Sequence, residues 1–272
     1  MAAKFVVVPQ WQGSGSTRAM RLVDGAEAIR GDLPSSNTVV VDVPLEAGES
    51  QGSEVARFSS IQLVRDRLAR ALSEIDGPAI TIGGDCSVEL AAVAHVADDH
   101  DVALIWFDAH ADLNTPASSP SAAFSGMILR TLLGEGAPGL VPARPLAPSR
   151  VILAGTRAFD DAEDAYVKEA GIRVFEGVDV DATELVSAVT ASGATSVYVH
   201  VDLDVLDPGE FDGVGYPEPF GLTAAQLVEL IKALKAAFPL AGAGITEFAP
   251  SSAEHAVEDM PSILRIIGAL AS

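Results

Sequence analysis

The chain has 272 residues, of which 49% are hydrophobic, so it can bury a sizeable core and intrinsic disorder is excluded. The formal net charge of -21 disfavours nucleic acid and anionic membrane surfaces as partners and favours a cationic ligand. A single cysteine, Cys86, excludes an intrachain disulfide. Since we find neither a secretory signal nor an apolar stretch of the about 18 residues that a membrane helix needs, we expect a soluble, cytoplasmic protein.

Short apolar runs alternate with longer segments of helical periodicity along the chain. The predicted strands are residues 5–8, 38–43, 79–82, 102–107, 151–154, 172–175, 196–201 and 241–246. The predicted helices are residues 17–29, 54–75, 87–97, 124–133, 160–170, 183–192, 223–237 and 256–270. Thr183 and Thr223 are predicted N-caps. Because the strands are Val/Ile-rich and hardly alternate, both of their faces should be buried, which predicts one α/β domain over residues 1–272, with a parallel sheet between helix layers.

Side chains that can bind metal ions or transfer protons lie at the predicted carboxyl ends of four strands. Ligands bind at this edge of the sheet in such folds. These side chains are Asp108, His110 and Asp112 after the fourth strand, Asp202 and Asp204 after the seventh, Cys86 in the glycine turn after the third, and Glu247 after the eighth. Alternation in an extended backbone would direct the acids of each group to one side. Buried carboxylates need cations, and oxygen-rich ligation with one imidazole favours two manganese ions. The alternative is that the acids cap loops and pair with basic residues.

Four stretches resemble the signature motifs of the arginase/ureohydrolase family, in the family's order and spacing. They are GGDCS (83–87), WFDAHADLNTP (106–116), VDLDVLDP (201–208) and TEFAP (246–250). The resemblance covers nearly the whole chain, and DAHAD together with DLDVLDP is its most specific part. It implies a three-layer, arginase-like fold with an eight-stranded parallel sheet. It also implies a hydrolase in which a hydroxide bridging two metal ions attacks the carbon of a guanidino group.

The resemblance implies roles for individual residues. One metal ion would be bound by Cys86, Asp108, Asp112 and Asp202, and the other by Asp108, His110, Asp202 and Asp204. Asp112 would pass a proton to the departing amine, and Glu247 would anchor the guanidine group. The head group of an amino-acid substrate would be bound by Asn114, Ser119, Ser121, Asp160 and Glu163. For Asp160, a helix N-cap is the alternative role.

Two positions depart from the family's pattern. Cys86 stands where the glycine turn of the family has a histidine, and Ser125 stands where arginases proper have a histidine that shuttles protons. We interpret Cys86 as a softer metal ligand, with a buried structural thiol or a nucleophile at a helix N-terminus as the alternatives. Ser125 would leave space for an additional hydroxyl group on the substrate. The remaining histidines, including His200, are interpreted as surface or structural residues.

Both departures disfavour strongly basic arginine and favour a less basic N-hydroxyguanidine. Together they resemble the branch of the family that cleaves hydroxyarginine in D-cycloserine biosynthesis, which implies Nω-hydroxy-L-arginine as substrate and hydroxyurea and L-ornithine as products. The alternatives are an ordinary ureohydrolase acting on L-arginine or another guanidino acid, and a weakly active homologue that binds a guanidino ligand. Because the chain stops at Ser272, without the C-terminal extension of trimeric arginases, we expect a monomer or a weak homo-oligomer.

Overall fold

The predicted parallel sheet is present. The computed structural model describes residues 3–272, and for residues 98 and 99 the backbone alone. The strands are β1 (Lys4–Val8), β2 (Thr38–Val40), β3 (Ala79–Gly83), β4 (Val102–Phe107), β5 (Val151–Thr156), β6 (Arg173–Glu176), β7 (Ser196–Asp202) and β8 (Leu240–Thr246). They form one eight-stranded sheet of order β2-β1-β3-β8-β7-β4-β5-β6, and every neighbouring pair is parallel. The predicted sheet is confirmed.

Helices cover both faces of the sheet. They are α1 (Arg21–Asp32), α2 (Phe58–Ser73), α3 (Glu89–Asp99), α4 (Ile128–Leu132), α5 (Asp161–Ala170), α6 (Ala182–Ser192), α7 (Ala224–Ala237) and α8 (Ala253–Ala271). In β1, Phe5 and Val7 join the core cluster of α1, α6, α7 and α8, while Val6 and Val8 join the cluster of α2, α3, α4 and α5. The three-layer architecture is therefore confirmed. None of the helices in residues 3–272 is long and apolar enough to cross a membrane.

Side-chain N-caps explain where four of the helices begin, namely α5, α6, α7 and α8. Thr223 accepts a hydrogen bond from the backbone N–H of Gln226, whose side chain accepts one from the backbone of Thr223, so the predicted N-cap is confirmed as a capping box. The predicted cap at Thr183 is wrong, because α6 begins after Asp181. The carboxylate of Asp181 accepts hydrogen bonds from two backbone N–H groups of the first turn and carries a negative charge at the positive end of the helix dipole.

The second strand is shorter than predicted. It ends at Val40 instead of residue 43, and the side chains of Val39 and Val40 are 44% and 48% exposed. As the outermost strand of the sheet, β2 pairs with β1 alone. The expectation that every strand is buried on both faces is therefore wrong at this edge, where apolar composition does not reflect burial.

The order of the strands determines where the motifs meet. β3, β8, β7 and β4 are consecutive neighbours in the centre of the sheet, and each is followed by one of the four motif stretches. Because the strands are parallel, their carboxyl ends lie at the same edge. Residues from four separated parts of the sequence are thus brought to one place by the topology alone.

Candidate metal centre and substrate cavity

A cavity of about 400 Å³ opens at the carboxyl ends of the central strands. Nearly all residues that the sequence assigns to the site line it: Cys86, His110, Asp112, Asn114, Ser119, Ser121, Ser125, Asp160, Glu163, Asp202, Asp204 and Glu247. The exception is Asp108, which is fully buried and accepts a hydrogen bond from the backbone N–H of His110 at 2.6 Å. Tyr216 and Glu218, from the loop after the second acidic motif, complete the wall. The predicted residues therefore form a single site.

Candidate metal ligands fall into two clusters that share Asp108. The first contains Cys86, Asp108, His200 and Asp202, and the second contains Asp108, His110 and Asp204. Within each cluster the ligand atoms lie within 4.8 Å of one another. Compared with the expected ligand sets, His200 is added to the first cluster, Asp112 belongs to neither, and Asp202 belongs to one only. The shared aspartate agrees with the expected bridging position of Asp108.

Backbone N–H groups orient the carboxylates of Asp202 and Asp204. Nδ1 of His110 lies 2.9 Å from Oδ2 of Asp204. The other oxygen of Asp204 accepts a hydrogen bond from the backbone of Ala109 at 3.1 Å. Asp202 in turn accepts one from the backbone of Asp204 at 2.8 Å. Because a backbone N–H group holds at least one oxygen of each carboxylate, the orientation of both side chains is constrained before any ligand binds.

The thiol of Cys86 is directed into the acidic cluster. Its Sγ atom donates to Oδ2 of Asp202 at 3.1 Å and lies 3.2 Å from Oγ1 of Thr246. Burial raises the pKa of the Cys86 thiol well above its ordinary value, and the negative charge of Asp202 raises it further. A free thiolate nucleophile is disfavoured in this environment. A cation bound beside the sulfur would favour the thiolate, which agrees with the interpretation of Cys86 as a ligand.

The protein supplies too few positive charges and hydrogen-bond donors to keep all the buried acids of the site ionised. Burial raises the pKa values of Asp112, Asp202 and Glu247 well above the ordinary range, and neighbouring carboxylates add to the effect. Within residues 3–272, Oδ2 of Asp112 is buried and has no hydrogen-bond partner. A buried unpaired carboxylate is costly unless a cation is bound. The donor set therefore fits divalent metal ions.

Asp112 and Glu247, both predicted to act in catalysis, have unusual backbone conformations. Their φ angles are +54° and +65°, in the left-handed region that non-glycine residues rarely adopt. Such a conformation costs about 1–3 kcal/mol and persists only where the surroundings enforce it. Here the carbonyl of Asp112 accepts a hydrogen bond from Leu129, and the N–H of Glu247 donates to Gly84. The strain directs both side chains into the cavity.

Asp160 and Glu163 form a capping box at the start of α5. Asp160 accepts hydrogen bonds from the backbone of Ala162 and Glu163, and Glu163 accepts one from the backbone of Asp160. The alternative role of Asp160 as an N-cap is thus confirmed. Its second oxygen also accepts a hydrogen bond from the side-chain amide of Asn114 at 2.7 Å. Capping fixes both acids at the cavity wall, where binding of a head group stays a prediction.

Two residues of the site were not recognised from the sequence. His200 is fully buried, which excludes the surface alternative of its interpretation and agrees with the structural one. The signal was its alternation with Asp202, which places both side chains on one side of β7, whereas Asp204 follows in a 3₁₀ turn, Leu203–Val205, and not in an extended backbone. Arg157 donates through its guanidinium to the backbone carbonyls of Asp204 (2.9 Å) and Glu218 (2.8 Å). No signal in the sequence points to this role, because carbonyl partners are independent of residue type.

The arrangement of the candidate metal ligands indicates the class of protein. Two ligand clusters around a shared aspartate, at the carboxyl edge of a parallel sheet, are typical of a binuclear metallohydrolase. The model of the arginase family matches residues 19–264, and the chain belongs to this family. Members of the family are hydrolases that act on the C–N bonds of guanidino groups, and they use a binuclear metal centre.

Individual relatives agree in fold and sequence over most of the chain. The arginase of Bacillus caldovelox is 28% identical over 225 residues, which cover 78% of this chain and 75% of that protein. The N(omega)-hydroxy-L-arginine amidinohydrolase of Streptomyces lavendulae is 27% identical over 262 residues, 94% of this chain and 90% of the relative. The crystal structure of Entamoeba histolytica arginase in complex with L-ornithine superposes with a TM-score of 0.87 at 23% identity, covering 98% and 97% of the two chains.

The raised carboxyl pKa values predict an unusual pH dependence of stability. Because the folded, metal-free chain holds protons on Asp112, Asp202 and Glu247 that the unfolded chain has lost, these groups stabilise the fold at low pH. That contribution should be lost as the pH rises from about 4 through the raised values. We expect the unfolding temperature in EDTA to fall over this range, and the loss to be suppressed by manganese. Scanning fluorimetry measures the unfolding temperature with and without manganese. If the Asp202→Asn variant in EDTA lost stability with rising pH as steeply as the wild type does, Asp202 would not be one of the groups responsible.

Arg157 is expected to position the loop that carries Tyr216 and Glu218. Arg157→Lys keeps the charge but loses the planar fork, so the carbonyls of the loop lose their donors. The free energy of unfolding should fall by about 1–3 kcal/mol. KM should rise because the loop lines the cavity, and kcat should fall less, because the carboxylate of Asp204 is also held by Ala109 and His110. Urea unfolding and steady-state kinetics test this, with the exposed Arg70→Lys as control; equal behaviour of the two variants would refute the role.

Proposed function

We propose that the chain is a binuclear-metal amidinohydrolase that cleaves Nω-hydroxy-L-arginine into hydroxyurea and L-ornithine, as in D-cycloserine biosynthesis. The observation that carries the proposal is a single cavity with candidate metal ligands, Ser125 and a polar wall suited to an amino-acid head group. The similar protein from S. lavendulae is named for this substrate. The similar structure from E. histolytica contains L-ornithine, the amino-acid product in our proposal.

Two divalent ions fit the buried donors, and we infer that manganese is the metal because most of the donors are oxygens. The proposed ligands are Cys86, Asp108, Asp112 and Asp202 for one ion, and Asp108, His110, Asp202 and Asp204 for the other. When bound, such a pair supplies Lewis acidity and activates water near neutral pH. Asp112 lies outside both ligand clusters and would contribute its buried Oδ2 atom, which has no hydrogen-bond partner among residues 3–272.

The chain's own residues would bind the substrate and move its protons. Asp112 would hold a proton at its carboxylate and deliver it to the departing amine of ornithine. Glu247, buried at the wall, would pair with the guanidine group. At the other end of the substrate, the α-carboxylate would accept hydrogen bonds from polar side chains, and the α-amine would form ion pairs with acidic side chains. The proposed residues are Asn114, Ser119 and Ser121 for the carboxylate, and Asp160 and Glu163 for the amine.

Ser125 supports an N-hydroxylated substrate over arginine. It lies in a short 3₁₀ turn, Ser125–Met127, and lines the cavity. A serine hydroxyl is a poor acid or base at neutral pH, so it cannot shuttle protons as a histidine does. An N-hydroxyguanidine is less basic than a guanidine, so its carbon accepts a nucleophile with less help from proton transfer. The small serine side chain also leaves room for the extra hydroxyl group.

The decisive experiment compares two substrates on one enzyme preparation. Metal-stripped protein reloaded with manganese should show a kcat/KM for Nω-hydroxy-L-arginine at least about tenfold above that for L-arginine, a difference of about 1.4 kcal/mol in transition-state stabilisation. Ornithine release measures both reactions in the same assay. A preference for L-arginine would favour the ordinary arginase, whereas tight manganese binding without turnover of either compound would favour a ligand-binding homologue.

Ser125→His serves as the matched variant. The imidazole would occupy the space proposed for the hydroxyl group and restore an acid–base group near neutral pH. The ratio of the two kcat/KM values should therefore shift toward arginine, by about tenfold or more. Ser119→Ala, which removes a hydroxyl at the head-group end, should lower both values together. An unchanged ratio in Ser125→His would mean that this position does not select the substrate.

A further inference from the structure

One member of the first ligand cluster, the buried His200, lies outside the ligand sets of the proposed function. The ring of His200 stacks on the indole of Trp106, with ring centroids 3.5 Å apart. Its Nε2 atom lies 4.0 Å from Sγ of Cys86 and 3.9 Å from Oδ2 of Asp108. These separations are long for hydrogen bonds. They suit atoms that share one ion, since ligands about 2.0–2.3 Å from a metal lie about 3–4.5 Å from each other.

The other nitrogen of this ring is held by a buried carboxylate. Nδ1 of His200 lies 3.0 Å from Oε1 of Glu89, and the hydroxyl of Tyr198 donates to Oε2. Both His200 and Glu89 are completely buried. An imidazole that donates Nδ1–H to a carboxylate keeps its Nε2 lone pair free for a metal ion. Metal-binding histidines in proteins commonly have such a carboxylate behind them.

A glycine in the neighbouring strand leaves space for the carboxylate of Glu89. Gly244 of β8 is the register partner of His200 in β7. A Cβ atom at Gly244 would lie 1.6 Å from Oε1 of Glu89. Any other residue there would expel the carboxylate from its place behind the imidazole. The first turn of α3, the strand β7 and the glycine of β8 thus jointly build the pair.

We propose that His200 binds the metal ion of the first cluster through Nε2, with Glu89 as its positioning residue. Each ion of the pair would then have one imidazole ligand, His200 on one side of Asp108 and His110 on the other. The inference rests on the binuclear centre of the proposed function and does not depend on the substrate. The competing role is a buried cation that neutralises Glu89 and Asp108 without touching a metal.

Metal binding by variants separates these roles. Manganese content and affinity are measured by elemental analysis and by competition with a chelator. His200→Asn should weaken binding of one ion by at least about tenfold, and Glu89→Gln should weaken it by about 10- to 100-fold. The matched control is the exposed His100→Asn, which should bind two ions as the wild type does. A His200→Asn chain that retains both ions at wild-type affinity would overturn the proposal.

A measurement on the wild-type chain decides the question even where a variant fails to fold. Protein containing ¹⁵N-histidine is loaded with ¹¹³Cd²⁺, a cation compatible with thiolate and imidazole ligands. Scalar coupling between cadmium and nitrogen should appear for two imidazoles, and His110→Ala should remove one of the two signals. Coupling at one imidazole only, lost in His110→Ala, would exclude His200 as a ligand.

The outcomes also distinguish this inference from the proposed function. A wild-type chain that binds no divalent ion would contradict both this inference and the proposed function. Two bound ions and turnover of a guanidino amino acid, with no cadmium coupling at His200, would leave the proposed function in place and overturn this inference alone. In that case, a lower free energy of unfolding for metal-free His200→Asn than for the metal-free wild type would identify the imidazole as a counter-ion of Glu89 and Asp108.

Discussion

The site depends on the burial of several carboxylates at one edge of a parallel sheet. Asp108, Asp202 and Asp204 are at most 4% exposed, and each lies close to another negative group. Removing an ion from water costs several kcal/mol even after the protein relaxes. Burial alone would raise the pKa of the Asp108 carboxyl, but the imidazoles of His110 and His200 lower this pKa below its ordinary value. Burial and neighbouring carboxylates raise the pKa values of Asp202 and Asp204, and a bound cation would favour their ionised forms, which connects the fold directly to metal binding.

The rest of the molecule holds this unfavourable arrangement in place. Left-handed backbone at Asp112 and Glu247, the capping box of α5 and the bonds from Arg157 to loop carbonyls each fix one part of the cavity. Ser125 lines the cavity without belonging to a ligand cluster. In the proposed function, substrate selection would therefore lie in the wall of the cavity and not in the acidic centre, as expected when function lies in sites carried by a shared fold.

Much of this arrangement follows from the sequence because topology leaves few choices. All eight strands were predicted, and parallel strands necessarily present their carboxyl ends at one edge, so the motif residues had to meet. The errors have local causes: the edge strand β2 has an apolar composition but is exposed, and Asp181 displaced Thr183 as a cap. The position of His200 beside the candidate metal ligands was not predicted, because its partner Glu89 is 111 residues away in the chain. Arg157 was missed because it binds carbonyls, which every residue possesses.

The most direct test is an anomalous-scattering map, at the manganese edge, of crystals grown with Mn²⁺. The account predicts two peaks on either side of Asp108, about 3.5–4 Å apart, with Asp202 beside both. A map without peaks, or with one peak remote from Asp108, would contradict it, because the buried acids would then be tolerated by some means other than a pair of cations.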